Sequence, residues 1–493
     1  MRQIMDRPNV LLIVVDQWPG ALLGQAGRRD IETPTLDQLA RNGMRFPNAH
    51  SECPICIPAR RSLMTGVDPR THGDRVFQPT LPRPDIPHLA ETFHRAGYQT
   101  GSVGKLHLFP SRDRIGFEET VLYEEGRPGI GGPDDWDIWL ADHGSAGLGY
   151  AHGMSNNSYE FRPWHLNEDS HPTVWLSRQA SRMIQRRDPG RPAFWHLSYN
   201  FPHPPIVPLA SYLDLYSEQE TEPAIEGDWN DDLPYALAMV REFWPELRPE
   251  QLAAVRRAFY AQCTLIDHQI RLVIGTLREQ GLLENTIIAF TSDHGDMLGD
   301  HGLFAKRVML AGSSSVPLLI MGAENDERIQ HGTVDTRLAG IQDIMPTLLD
   351  LAGIDCPETC TGRSLISEPP REHLYCEALE GPLAMRMVVD DKWKLIWYPA
   401  GNMFQLFDRD SDPRETRNLA GDADHSEVLD RLSAVLMSEL YGDDLEWVRD
   451  SEMVGCPAPE VTRKPNRGLW SQRGLHYPQP PQSLKTNGTG APS

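Results

Sequence analysis

Asn9–Val15 (Asn-Val-Leu-Leu-Ile-Val-Val) is an unbroken β-branched and leucine run, entered after Pro8 and followed at once by Asp16. A run of this kind, without polar alternation, predicts a strand covered on both faces, and that requires a parallel sheet with helices on either side. It is far shorter than the roughly 20 apolar residues that cross a bilayer, so no membrane span is expected. Similar runs recur at Tyr98–Val103, Ala193–Ser198, Thr286–Thr291 and Val316–Met321. Helical patterns lie between them. Thr33 and Pro34 open one, with Leu36, Leu39 and Ala40 on its apolar face and Gly43 as its stop. Two longer helices are predicted over Thr173–Arg187 and Pro249–Glu279, the second carrying Leu252, Val255, Phe259, Ile266, Ile270 and Val273 at helical spacing. This alternation specifies an α/β fold: a large mixed, mostly parallel sheet flanked by helices.

Near residue 366 the pattern changes. Lys392–Tyr398 followed by Gln405–Phe407 reads as an antiparallel hairpin and Ser426–Tyr441 as a closing helix. The expected organisation is a catalytic domain over 1–365, a small α+β subdomain over 366–455 and a proline-rich tail over 456–493. Such a tail suits an arm laid over another subunit, and a homodimer or homotetramer is expected from it.

Composition narrows the function. The 493 residues carry 69 acidic and 47 basic side chains, a net charge of −22, which excludes a general nucleic-acid binder. Met1–Pro8 lacks the apolar core of a signal peptide. Seven cysteines do not make a disulfide framework. A cytoplasmic protein is the expectation.

The chemistry is concentrated where the predicted strands end. Asp16-Gln17 follows the first, Gly104-Lys105-Leu106-His107 the second, Asn200-Phe201-Pro202-His203 the third and Ser292-Asp293-His294-Gly295-Asp296 the fourth. Open α/β sheets bind ligands at this edge. A single Asp or His there is more often a turn former, but four such ends together describe a cation-rich site, with Asp16, Asp293 and His294 suited to a divalent metal.

A second motif is Cys53-Pro54-Ile55-Cys56-Ile57-Pro58-Ala59-Arg60, continuing to Thr65-Gly66. Three readings stand side by side. Cys53 and Cys56 could be a redox or zinc pair, although no second Cys-x-x-Cys occurs. Cys56 could be a buried structural thiol. Or Pro58 starts a short helix ended by Gly66, setting Cys56 at an anion-favouring N-terminus with Arg60 one turn on.

Cys56-Ile57-Pro58-Ala59-Arg60 with Thr65-Gly66 resembles the signature of the type I sulfatases of the alkaline phosphatase superfamily. The likeness extends to Pro8–Gln17, Thr33–Phe46, Gly104–His107, Pro202–Pro205, Thr291–Lys306, Gly340–Gly353 and Asp408–Leu419. It implies that Cys56 is oxidised to formylglycine by a formylglycine-generating enzyme. The hydrated aldehyde offers one hydroxyl to attack sulfur and a second to expel sulfate. It implies Asp16, Gln17, Asp293, His294 and residue 56 as metal ligands, and Arg60 as the group orienting the nucleophile. Lys105 and Lys306 would bind the sulfate, His203 would protonate the leaving group and His107 would act as base in the elimination.

Two departures matter. Gln17 and His294 stand where many sulfatases carry Asp and Asn, a set resembling the phosphonate monoester hydrolase and choline-sulfatase branches. Manganese therefore joins calcium as the expected ion, and a phosphonate monoester or phosphodiester joins the sulfate monoester as substrate. Gly104-Lys105-Leu106-His107 is the sulfatase-type pair and favours sulfate.

Phe117–Pro172 reads as an insertion rich in glycine and aromatics. Trp136, Trp139, Tyr159, Trp164 and Trp175, in it or just beyond, could wall a substrate pocket, but packing among themselves is the stronger expectation.

Overall fold

A computed structural model describes residues 7–462 apart from 126–132, 155, 245 and 325. Its centre is an eight-stranded sheet. In spatial order the strands are Glu119–Leu122, Gln99–Gly104, Ala193–Pro202, Asn9–Asp16, Thr286–Ser292, Leu318–Met321, Met44–Arg45 and Thr333–Val334. The first five run parallel to one another, while Leu318–Met321 is antiparallel to both of its neighbours.

The first run behaves as its composition requires. Val10–Val15 pairs with Phe194–Tyr199 on one side and Ile287–Ser292 on the other, and every residue of Asn9–Asp16 is buried. Leu11, Ile13 and Val15 face the core formed with helices Pro172–Gln185 and Pro249–Glu279. Val10, Leu12 and Val14 face the opposite core, which holds Ala59, Leu63 and Met64 of helix Cys56–Thr65 and Leu348 and Leu349 of helix Ile344–Leu351. Each such fully buried aliphatic side chain contributes about 1.5–3 kcal/mol of transfer free energy. Because strand and register are set by this two-faced burial, the carboxyl ends of four strands are held level at one edge.

The helix expected to start at Pro58 begins two residues earlier, over Cys56–Thr65, and Gly66 ends it in the left-handed region at φ 65°. Glu119–Leu122, inside the stretch read as an insertion, is in fact a strand of the sheet, paired in parallel with Gly101–Gly104.

Beyond the sheet, four consecutive antiparallel strands form a second one: Leu374–Ala378, Met385–Val389, Trp393–Tyr398 and Met403–Asp408. Only the last two were legible as a hairpin. One face (Met385, Met387, Val389, Ile396, Phe407) packs on Cys53, Ile55, Leu303 and Val308–Leu310, so the small sheet backs two of the loops that reach the site. Helix Ser426–Glu439 covers the other through Leu432 and Leu436. Residues 463–493, most of the expected arm, lie outside the described residues, and among those described no helix is long and apolar enough to cross a membrane.

Candidate active site

The first strand hands over at Asp16, and Gln17 turns the chain with φ 71°. The neighbouring strand hands over at Ser292, and Asp293 Oδ1 accepts the backbone N–H groups of Gln17 (3.1 Å) and His294 (3.0 Å). The two strand ends are thereby tied together. On the far side Gly104, at φ 110°, admits the chain so close to the next strand that a Cβ there would lie 1.8 Å from the carbonyl oxygen of Ser198. This contact sets Lys105 beneath the site. Cys56 arrives from the opposite core, in the first turn of its helix.

Four potential ligand atoms converge: Asp16, Cys56, Asp293 and His294 each supply one, all within 4.8 Å of one another, and all four residues are buried. Cys56 Sγ lies 3.2 Å from His294 Nε2, and His294 Nδ1 lies 3.0 Å from the carbonyl oxygen of Gly295, the contact of an Nδ1–H donor. Three cations surround them. Arg60 donates from Nε to Asp293 Oδ2 (2.9 Å) and from Nη1 to Ser198 Oγ (2.9 Å) and the Lys105 carbonyl (3.0 Å). Lys105 donates to Asp16 and to Glu125 Oε1 (3.0 Å). Lys306 donates to Gln17 Oε1 (2.6 Å) and lies 2.6 Å from His203 Nε2.

Charges this close shift one another. Burial alone would raise Asp16, but Lys105, His203, Arg60 and His294 together hold it well below the usual carboxylate range. Burial would likewise raise the Cys56 thiol; Lys306, His294 and Lys105 overcome it and Asp16, favouring the anion. Asp293 moves the other way, raised by burial and by the Asp16 carboxylate beside it. Asp16 Oδ1 is buried and accepts no hydrogen bond. A pair of carboxylates with an orphaned oxygen, an imidazole and a thiol is a donor set that a divalent cation fits, since it relieves the repulsion and fills the orphan.

The two remaining expected residues are histidines, each fixed by its own neighbours. His203 Nδ1 lies 2.7 Å from the Pro204 carbonyl oxygen. His107 (φ 59°) donates its backbone N–H to Glu124 Oε1 (2.9 Å), and its ring packs edge-on to Phe77 at 5.8 Å. Cys53 and Cys56 are not bonded to each other; Cys53 lies in an apolar core, against the redox-pair reading.

Four contributors were not read as such from the sequence. Ser198 seats Arg60. Glu124 and Glu125 follow the overlooked strand, whose only signal was Thr120-Val121-Leu122. Tyr159 hydrogen-bonds Asp296 Oδ2 (2.5 Å) and receives Gln17 Nε2 (3.0 Å). Of the aromatics singled out in and beyond that stretch, Trp136 packs on Trp164 and Trp139 on Trp175 as expected, and Tyr159 reaches this edge by hydrogen-bonding Asp296 and Gln17.

A mostly parallel sheet with anionic, thiol and cationic groups at the carboxyl ends of its strands is the layout of an α/β enzyme with its site at the strand ends. Residues 8–354 match the sulfatase family, and residues 299–440 match the C-terminal region of N-sulphoglucosamine sulphohydrolase. An arylsulfatase of Clostridium perfringens is 34% identical over 456 residues, covering 88% of this chain and 95% of its own. A choline-sulfatase of Rhizobium meliloti is 32% identical, covering 84% and 82%. The crystal structure of the phosphonate monoester hydrolase of Agrobacterium radiobacter superposes with a TM-score of 0.75 at 24% identity, covering 88% of this chain and 95% of that one. The chain belongs to the sulfatase family, a family of sulfuric ester hydrolases.

Proposed function

We propose that the chain hydrolyses sulfate monoesters at residue 56, releasing inorganic sulfate and an alcohol or phenol. The observation that carries this reading is the convergence of four buried ligand atoms within 4.8 Å, ringed by Arg60, Lys105 and Lys306. Asp16, Asp293, His294 and residue 56, with Gln17 beside them, would hold a divalent cation, calcium or manganese. Such an ion supplies Lewis-acid polarisation of oxygen. Formylglycine at position 56, made by a formylglycine-generating enzyme, supplies a geminal diol: a nucleophile and a built-in route for releasing sulfate.

The chain's own groups do the rest. Lys105 and Lys306 balance the negative charge of the sulfate oxygens, and do so in a water-poor site where each donor counts for more than in bulk water. Arg60, fixed by three acceptors, holds residue 56 and Asp293 in register. His203 is seated by the Pro204 carbonyl through Nδ1–H, which leaves Nε2 as the ring atom that faces the site beside Lys306; once protonated there, it delivers that proton to the departing oxygen. His107 takes the proton when sulfate is expelled.

Residues 1–365 form the catalytic domain in this reading and 366–455 the subdomain that backs its loops. A cytoplasmic location belongs to this reading. Assembly as a homodimer or homotetramer is part of the same reading, and light scattering on the full chain tests it.

The test is a paired assay of an aryl sulfate and a phosphonate monoester on one preparation, with metal analysis and peptide mapping of Ser51–Arg60. Sulfate turnover, an aldehyde at position 56 and loss of activity on chelation are expected. Dominant phosphonate turnover overturns the substrate assignment, and an unmodified Cys56 in fully active enzyme overturns the nucleophile.

A further inference from the structure

Asp296 lies three residues beyond Asp293 and is buried, but its carboxylate is committed to neighbouring side chains and backbone. Oδ1 accepts the backbone N–H groups of Leu298 (2.8 Å) and Ala305 (2.9 Å). These bonds close the base of the loop Met297–Ala305, itself laced by Met297 N to Ala305 O (2.9 Å) and Gly299 N to Leu303 O (2.8 Å). The next residue out of that loop is Lys306. Oδ2 accepts from Gln17 Nε2 (2.5 Å) and from the Tyr159 hydroxyl (2.5 Å). One carboxylate thus joins the loop that delivers Lys306, the turn that delivers Gln17 and the segment that delivers Tyr159.

The polarity of this junction has a consequence at the site. A glutamine amide can sit either way round. Asp296 and Tyr159 together hold Gln17 Nε2, so the carbonyl oxygen Oε1 is the end presented to Lys306 Nζ at 2.6 Å. Turned over, the amide would set N–H groups against an ammonium. Lys306 Nζ in its present place also meets His203 Nε2. An asparagine at 296 could still accept the two loop N–H groups on Oδ1, but would offer Gln17 a donor in place of an acceptor.

We propose that Asp296 is a positioning residue for the sulfatase reaction: it fixes the orientation of the Gln17 amide and, through it, the seat of Lys306, with Tyr159 as its second donor. The inference rests on the sulfatase reading of the site. It differs from a purely structural role, in which Asp296 would only tie its loop and the polarity of Oδ2 would not matter.

The test compares Asp296→Asn, Asp296→Asn with Gln17→Glu, and Tyr159→Phe in the matured, metal-loaded enzyme. Asp296→Asn is expected to lower kcat about 100-fold, the scale for a misplaced catalytic group, with little change in Tm. Adding Gln17→Glu reverses the hydrogen bond, the glutamate accepting from Asn, keeps the net charge of the wild type and restores at least about tenfold of the loss. Tyr159→Phe removes one of the two donors to Oδ2 and costs about 10-fold in kcat, the lower end of the scale for a hydrogen bond to a charged group, with KM little altered. Calorimetric binding of inorganic sulfate is expected to weaken in Asp296→Asn and recover in the double variant. An Asp296→Asn enzyme with wild-type kcat and sulfate affinity overturns the proposal, as does one whose loss tracks Tm and is not relieved by Gln17→Glu. If the wild type turns over no sulfate ester, the sulfatase reading fails; the binding of sulfate, and of inorganic phosphate in parallel, still shows whether Asp296 sets the anion seat.

Discussion

Two buried ionic clusters use the same residue types to opposite ends. In the one at the small sheet, Arg386 donates from Nε and Nη2 to both oxygens of Asp444 (2.7 and 2.8 Å), and from Nη1 to the carbonyls of Ala378, Leu379 and Met385. Arg75 Nη1 joins Glu377 (3.0 Å) to Asp444 (2.9 Å), and the Tyr441 hydroxyl donates to Glu377 (2.8 Å). No buried polar atom of Arg75, Glu377, Arg386 or Asp444 lacks a partner. At the sheet edge, Asp16 Oδ1 and Arg60 Nη2 are buried without a hydrogen bond, and Asp293 is pushed up by burial and its neighbour Asp16. Saturation marks the cluster that holds structure together; unspent capacity marks the one built to receive a ligand.

Substitutions that delete one cation from each cluster separate the two roles. Lys105→Ala is expected to lower kcat about 10²–10³-fold, the range for removing one donor to developing charge, while the denaturation midpoint moves far less than for the other cluster. Arg386→Ala removes the two-pronged partner of Asp444 and leaves it to Arg75 alone in the interior, which should cost about 3–5 kcal/mol of stability, with kcat per folded molecule unchanged. Urea unfolding of both variants alongside single-turnover rates reads the contrast. Equal stability losses would make Lys105 structural and dissolve the comparison.

The same contrast explains what was legible in the sequence. The strands buried on both faces announce themselves as apolar runs, so the large sheet and the polar residues at its edge were readable together. Leu374–Ala378 and Met385–Val389 were passed over because Glu377 and Arg386 interrupt their alternation, and those charges are interior only by virtue of partners remote in sequence: Arg75 and Asp444. Asp16, Asp293, His294 and the cationic groups each follow a strand or belong to a motif. Tyr159 and Glu125 lack such a marker: one comes from an irregular segment, the other follows a strand of only four residues, and no local spacing ties either to Gln17 or Lys105. The Thr33 cap is a smaller case of the same kind. Its hydroxyl is spent on Gly24 and Asp37, while Asp267 of the long helix receives the Thr35 and Leu36 N–H groups instead.

Glu52 offers the finest test, because it is a buried carboxyl belonging to neither pattern. Its Oε1 accepts from Gln342 N (3.2 Å), its Oε2 has no partner, and burial, reinforced by Asp343, pushes it up to about 8. Unfolded, it titrates near 4.5. Between those values the folded chain holds a proton that the unfolded chain has lost, so this group makes stability fall as pH rises from 4.5 to 8. Glu52→Gln removes that dependence. The variant should therefore gain on the wild type steadily from pH 5 to pH 8, by an amount on the order of 1 kcal/mol or more, in chemical denaturation at the two pH values. A gap that stays flat, or reverses, would mean that the Glu52 carboxylate is stabilised in place and that its bare oxygen, like that of Asp16, has a ligand to meet.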